Sequence, residues 1–75
     1  MGSVNPSITL HPSTAQILRY FAWDHLPERL QVVSRPFGDL AAMMVNSLPQ
    51  GPELTAGLRK LLEAKDCAVR AALDA

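Results

Sequence analysis

One stretch, residues 52–73, carries the longest unbroken helical pattern in the chain and constrains the fold more than any other segment. It is rich in Leu, Ala, Lys, Glu and Arg, which lose little conformational freedom in a helix. Pro52 follows Gly51 at the place of a first helical residue, where an N–H would be unpaired anyway. Two apolar stripes follow the helix: Leu54, Leu58, Leu61, Ala68 and Ala72 form the first, and Leu62, Val69 and Leu73 form the second. Two stripes need two packing partners, so we expect the other segments to pack on this helix.

A second helical pattern begins at Pro27 and predicts the other arm of a hairpin. Its apolar residues recur three and four apart, which is the spacing of a packing seam. They are Leu30, Val33, Phe37, Leu40, Met44 and Leu48. The turn-forming segment 48–52, LPQGP, closes the hairpin, so we expect the two arms to run antiparallel.

The N-terminal part of the chain has a different character. Residues 1–12 contain two prolines and no helical period, and we interpret them as a mobile tail, with a short strand at residues 8–10 as the alternative. Ser13 and Gln16 have the spacing of a capping box, which predicts a short helix over residues 14–23 with Ser13 as its N-cap. The predicted fold is therefore all-α, and residues 13–75 form one domain made of a short N-terminal helix and an antiparallel helical hairpin.

The balance of size and hydrophobicity predicts self-association. Of the 75 residues 48% are apolar, more than a two-helix hairpin can bury, and a domain this small usually needs a further source of stability. A single cysteine, Cys67, excludes an internal disulfide, and we expect it to be a small buried residue. No Cys or His cluster has the spacing of metal ligands. We therefore predict a homo-oligomer.

Charge and hydropathy argue against two classes of partner. Seven basic residues balance seven acidic ones, so the chain has no overall field to attract long nucleic acid. No segment approaches the roughly 18 consecutive apolar residues of a membrane helix, and no signal peptide opens the chain. Met1 and Gly2 resemble the start of a myristoylation signal, but Pro6 stands where Ser or Thr is required. We expect a cytoplasmic protein without a membrane partner.

The residues that usually perform catalysis are poorly arranged in this sequence. His11 and His25 lie in the tail and in a linker, and neither has a carboxylate at helical spacing. Serine and cysteine side chains lack an evident base and orienting acid, and the glycines occur singly rather than in a phosphate-binding loop. We expect no enzymatic activity and no cofactor.

Residues 34–38 are the best local candidate for a binding site because they combine a bend, a cation, a ring and a bare backbone. Pro36 deprives the carbonyl of Val32 of its helical partner, which predicts a kink or an opening over residues 32–35. Arg35 and Phe37 supply the cation and the ring. Gly38 has no side chain, which allows another backbone or a ligand to approach closely.

Tyr20 and Arg35 form a pair that suits a nucleotide, because an aromatic ring stacks on a base and a guanidinium binds phosphate oxygens. Further cations lie on the last helix: Arg59, Lys60, Lys65 and Arg70. Taken individually, each is better explained as a solvated surface charge, although Lys65, which falls among apolar positions, and Arg70 fit that explanation less well. Similarly, the aromatic residues 20–23 are explained equally well as the cover of an apolar edge.

Together these motifs resemble a known family. Tyr20, Arg35 and Gly38, followed by a turn and a helix ending in KDCAVRAA, are similar to the phage anti-CBASS cyclic-nucleotide sponges, whose helical-hairpin domain is shared with sponges that counter the Thoeris system. The resemblance covers residues 13–73. Two features depart from the family pattern: Pro36 lies where other members have plain helix, and the sheet domain of the Thoeris-type sponges is missing.

The resemblance implies a specific function. Such sponges are helical hairpins that assemble as homohexamers and sequester the cyclic di- and trinucleotides of the host immune system without cleaving them. It implies that Tyr20 stacks on a base, that Arg35, a position that is lysine in some members, contacts phosphate, and that Gly38 lies beside the pocket for larger rings. Arg70 matches an arginine near the end of the second helix. The alternative is a small helical oligomerisation or protein-interaction module with no nucleotide ligand.

Overall fold

Three helices make up the regular structure of residues 3–74, the part of the chain that the computed structural model describes. They are α1 (Pro12–Arg19), α2 (Glu28–Ser47) and α3 (Pro52–Asp74). No strand occurs within this range, which confirms the predicted all-α fold there. None of the three helices combines the length and apolar character required to cross a membrane. Met1 and Gly2, which begin the predicted tail, and Ala75, the last residue of the predicted domain, lie outside the described residues.

Helices α2 and α3 form an antiparallel hairpin. At one end, Nη1 of Arg29, in the first turn of α2, donates to the carbonyl of Ala72 near the end of α3 at 3.3 Å. At the other end, Met44 of α2 lies beside Gly57 of α3. Helix α1 packs against α3, where its Thr14 is 2% exposed.

The core lies where the three helices meet. It consists of Phe21, Ala41, Val45, Leu54 and Leu58, with Leu61 and Leu62 packed around it. The first predicted stripe of α3 is therefore confirmed at its N-terminal end. The second stripe is wrong at its last member, since Leu73 is 52% exposed near the free end of the hairpin.

The predicted seam of α2 is wrong at two of its six residues, since Phe37 and Met44 also pack against the core and Val33 is partly buried. Leu30 is buried as expected, but Leu40 and Leu48 are 40% and 48% exposed. The buried face of α2 instead runs through Leu30, Ser34, Ala41, Ala42 and Val45. Small side chains on this face let α2 approach its neighbours closely, because the distance between packed helices depends on the side chains at the contact. Some large apolar side chains, among them Leu40, consequently remain exposed on another face.

Pro36 does not open α2. The helix is continuous from Glu28 to Ser47 with Pro36 inside it, so the expected opening over residues 32–35 is wrong. Proline removes the helical partner of the Val32 carbonyl. Because Val32 is 72% exposed, water can hydrate that carbonyl, so its missing partner costs little and the helix continues through Pro36.

Helix α1 begins earlier than predicted and ends earlier. Its N-cap is His11 rather than Ser13, and Nδ1 of the imidazole accepts a hydrogen bond from the Ser13 backbone N–H at 3.3 Å. Pro12 then occupies the first helical position, which its fixed φ favours. The helix ends at Arg19 because the following turn directs Phe21 into the core.

Residues 3–10, part of the segment interpreted as a mobile tail, contact the hairpin. Asn46 accepts from the backbone N–H of Asn5 at 2.7 Å and donates to the carbonyl of Ser3 at 2.9 Å. Gln50 makes a similar pair of hydrogen bonds to the next part of this segment. It donates to the carbonyl of Thr9 at 2.6 Å and accepts from the backbone N–H of His11 at 3.1 Å. The apolar side chains Val4, Ile8 and Leu10 pack against the core cluster.

Ser34 provides a test of the observed helix face. It is fully buried, and its hydroxyl has no hydrogen-bond partner among residues 3–74. Ser34→Ala removes this unpaired group, so we expect the free energy of unfolding in urea to rise by about 1 kcal/mol. The exposed Ser47→Ala is the matched control and should change stability by less than about 0.5 kcal/mol. A loss of stability in Ser34→Ala would show that the hydroxyl is hydrogen-bonded.

Candidate functional site

Arg35 lies at the surface of α2, stacked on an aromatic ring. Its Cζ is 5.1 Å from the centroid of the Trp23 ring, within the range of a cation–π contact. Its Nε lies 3.9 Å from Oδ2 of Asp39, one helical turn later. The Arg35 and Asp39 side chains are 58% and 42% exposed, so this ion pair contributes little, at most about 0.5 kcal/mol. The guanidinium is therefore held on two sides while much of it faces solvent.

Gly38 explains how Trp23 reaches this position. A Cβ placed at Gly38 would lie 3.0 Å from Cδ1 of Trp23 and 3.2 Å from the carbonyl oxygen of Phe21. The predicted close approach of another backbone at Gly38 is thus confirmed, and that backbone belongs to residues 21–23 of the same chain. Gly38 and Arg35 are three residues apart, which places both on the side of α2 that meets this segment.

Tyr20 directly follows α1 and is 60% exposed. Its carbonyl oxygen accepts a hydrogen bond from Nζ of Lys65 at 2.5 Å. Lys65 is only 9% exposed, so most of its side chain is buried and its ammonium is engaged by a backbone carbonyl of the same chain. The negative end of the α1 dipole favours this cation. Lys65 thus anchors the backbone of Tyr20 and leaves its ring exposed.

The other predicted site residues are dispersed. Phe37 is half-buried against the core, so its ring is not free for stacking. Arg59 and Arg70 are exposed and about 16 Å apart along α3, at about 1.5 Å per residue. Lys60 is exposed on α3 as well. The structure thus brings Arg35 and Gly38 together around Trp23, but it does not unite all the predicted cations in one site on a single chain.

Cys67 is exposed, so the expectation that it is buried is wrong. It lies seven residues, two helical turns, after Lys60 and so faces outward with it. Nη2 of Arg70 donates to its Sγ at 3.4 Å. The Arg70 side chain therefore has a neighbour on its own helix.

A cleft of about 540 Å³ lies between the starts of α1 and α3. Its polar lining consists of His11, Ser13, Thr14, Gln50, Thr55 and Arg59. Of these residues only Arg59 is a predicted site residue. The others come from two segments far apart in the chain, residues 11–14 and 50–55, and no short sequence pattern connects them. Trp23 and Asp39, the neighbours of Arg35, were also missed, although the four-residue spacing of Arg35 and Asp39 is a signal of an ion pair on a helix.

No family model, no curated protein and no solved structure matches this chain. The resemblance to the cyclic-nucleotide sponges therefore remains a prediction from the motifs around Tyr20, Arg35 and Gly38. The chemistry of the candidate site is argued from the geometry of those residues.

Gly38→Ala tests the contact on which the site depends. The added Cβ would meet Trp23 and the Phe21 backbone, so we expect the free energy of unfolding to fall by about 1–2 kcal/mol. Gly57→Ala is the matched control, because Gly57 also lies inside a helix but a Cβ there meets only the flexible end of Met44, at 3.3 Å. That variant should be neutral or more stable by about 0.5–1 kcal/mol. Equal changes in the free energy of unfolding of the two variants, measured by urea denaturation, would contradict this packing of Trp23 on Gly38.

Proposed function

We propose that the protein is a phage anti-defence protein that binds and sequesters the cyclic oligonucleotides of a bacterial immune system. Its ligands are cyclic di- or trinucleotides, which it holds without cleavage in the cytoplasm of the infected host, so that CBASS-type signalling stops. The observation that carries the proposal is the exposed guanidinium of Arg35, which lies over the ring of Trp23. Trp23 belongs to the segment 20–23, which begins with the exposed side chain of Tyr20.

The chemistry of these side chains fits such a ligand. A cyclic dinucleotide presents two flat bases and two phosphates. The Tyr20 ring can stack on a base, an interaction that contributes about 1–3 kcal/mol in single-stranded nucleic acid complexes. The Arg35 guanidinium can bind phosphate oxygens through two parallel hydrogen bonds. The chain has no net charge, so the ligand would be recognised by these local contacts rather than by an overall field.

An exposed apolar face on α2 supports the proposal that the protein self-associates. Val32, Leu40 and Met43 are 72%, 40% and 55% exposed, and their spacing places them on the side of α2 away from its buried face. The structure exposes 5112 Å², whereas a globular monomer of 8.2 kDa exposes about 4500 Å². In the proposed homo-oligomer, a hexamer by resemblance to the sponges, copies of the chain cover this face.

Calorimetry with a panel of cyclic di- and trinucleotides tests the proposed ligand. Tyr20→Ala and Arg35→Ala should each weaken binding by at least about tenfold, because each removes one of the two proposed contacts. Arg29→Ala, which removes an equal charge from an exposed arginine outside the predicted site residues, is the control and should bind normally. Light scattering should show the same oligomer for all three variants.

Two further outcomes separate the alternatives. If no member of the panel gives a signal and the protein is monomeric, the proposal is wrong and a protein-interaction module is the better explanation. Ligand recovered after heat denaturation of the complex should be chemically unaltered, and cleaved ligand would instead identify a nuclease.

The exposed face of α2 gives a separate prediction about assembly. Leu40→Asp combined with Met43→Asp places charge in the proposed contact between copies, so we expect the oligomer to dissociate to monomers in light scattering. Lys60→Asp introduces the same side chain on the exposed side of α3 and should leave the oligomer intact. An unchanged oligomer in the double variant would show that copies associate through another face.

A further inference from the structure

We propose that Trp23 is a positioning residue of the cyclic-nucleotide site, holding Arg35 with its outer N–H groups directed toward the phosphate. This inference rests on the proposed function and adds a residue to it. Trp23 carries no phosphate-binding group of its own. It acts through the stacking contact with Arg35, whose Cζ lies 5.1 Å from the centre of its ring.

Trp23 itself is held firmly. Its ring lies against the bare backbone of Gly38, and Phe21, two residues before it, is buried in the core. The segment after it is tied to α2 by Gln31, whose Nε2 donates to the carbonyls of Asp24 at 3.2 Å and Leu26 at 2.8 Å. The turn that carries Trp23 is therefore fixed on both sides.

Arg35 requires such a support, because an exposed arginine loses considerable rotamer freedom when it binds. Asp39 offers only a weak constraint, since its contact with Nε is 3.9 Å long and solvent-exposed. Cζ of Arg35 lies over the Trp23 ring, 5.1 Å from its centroid, and the attraction is between the cation and the π-system of the ring, whereas phosphate binds through the N–H groups. The ring therefore restrains the arginine while its N–H donors stay available to the phosphate.

The same segment joins the two proposed ligand contacts. Tyr20, three residues before Trp23, supplies the ring that stacks on a base, and Lys65 fixes its backbone through the 2.5 Å hydrogen bond to its carbonyl. One short connection between α1 and α2 thus carries the base-stacking ring and the ring that orients the phosphate-binding arginine. A change at Trp23 should therefore alter the phosphate contact while the Tyr20 backbone keeps its anchor.

A double-mutant cycle tests this role, with calorimetry of the full chain against the cyclic dinucleotide of the panel that binds most tightly. Trp23→Leu should weaken binding about three- to fivefold when Arg35 is present and by less than about twofold in the Arg35→Ala background. Trp23→Phe, which keeps an aromatic face, should restore most of the affinity. Equal losses in both backgrounds would show that Trp23 acts only through the fold, and the inference would be wrong.

The fluorescence of Trp23 gives a second readout that needs no ligand, since it is the only tryptophan in the chain. Arg35→Ala uncovers the ring, so acrylamide should quench its emission more strongly than in the unaltered protein, whereas Arg59→Ala should have no effect. Unchanged quenching in Arg35→Ala would overturn the stacking contact. Failure of every cyclic nucleotide to bind, with quenching as expected, would instead refute the proposed function and leave the contact itself established.

Discussion

The close contact between Gly38 and the segment 21–23 is the constraint on which the rest of the structure depends. Without a side chain at position 38, the backbone of Phe21 and the ring of Trp23 approach α2 directly. Phe21 then reaches the core between α2 and α3, and Trp23 comes to lie beneath Arg35. The absence of a side chain at Gly38 therefore allows two things. Phe21 can be buried, which anchors the segment between α1 and α2, and Trp23 can take its place at the candidate site.

Lys65 shows how a charge that seems suited to a ligand can serve the fold instead. An ammonium has three donors, and burial of a charge without partners is costly. Lys65 directs Nζ to the carbonyl of Tyr20, at the end of α1 where the helix dipole is negative. The contact ties α1 to α3 and fixes the backbone from which the Tyr20 ring projects. Its position among apolar residues was therefore informative, but it indicated burial rather than a ligand contact.

The sequence predicted the helices better than it predicted which of their faces are buried. Helix α3 was correctly located because Pro52 marks its start and its helical pattern is unbroken. On α2, however, apolar residues lie on two faces. The larger side chain of Leu40 led us to predict that its face is buried, whereas Ala41 on the other face is the residue that is fully buried. The contact of Trp23 with Arg35 could not be predicted, because it depends on the path of an irregular turn rather than on a periodic pattern. Arg35 and Gly38 were identifiable as unusual residues, but their shared neighbour was not.

The two apolar faces of α2 also bear on how a chain with no net charge could bind an anion. Arg35 follows Val32 by three residues and Asp39 precedes Met43 by four, so both charged residues adjoin the exposed apolar face rather than lying within it. In the proposed oligomer a second copy covers that face, and Arg35 then lies at the rim of the contact between copies. Partial desolvation at such a rim strengthens the attraction between a guanidinium and a phosphate, since the effective dielectric constant falls. Self-association would thus create a binding cleft beside Arg35 without requiring an overall basic chain.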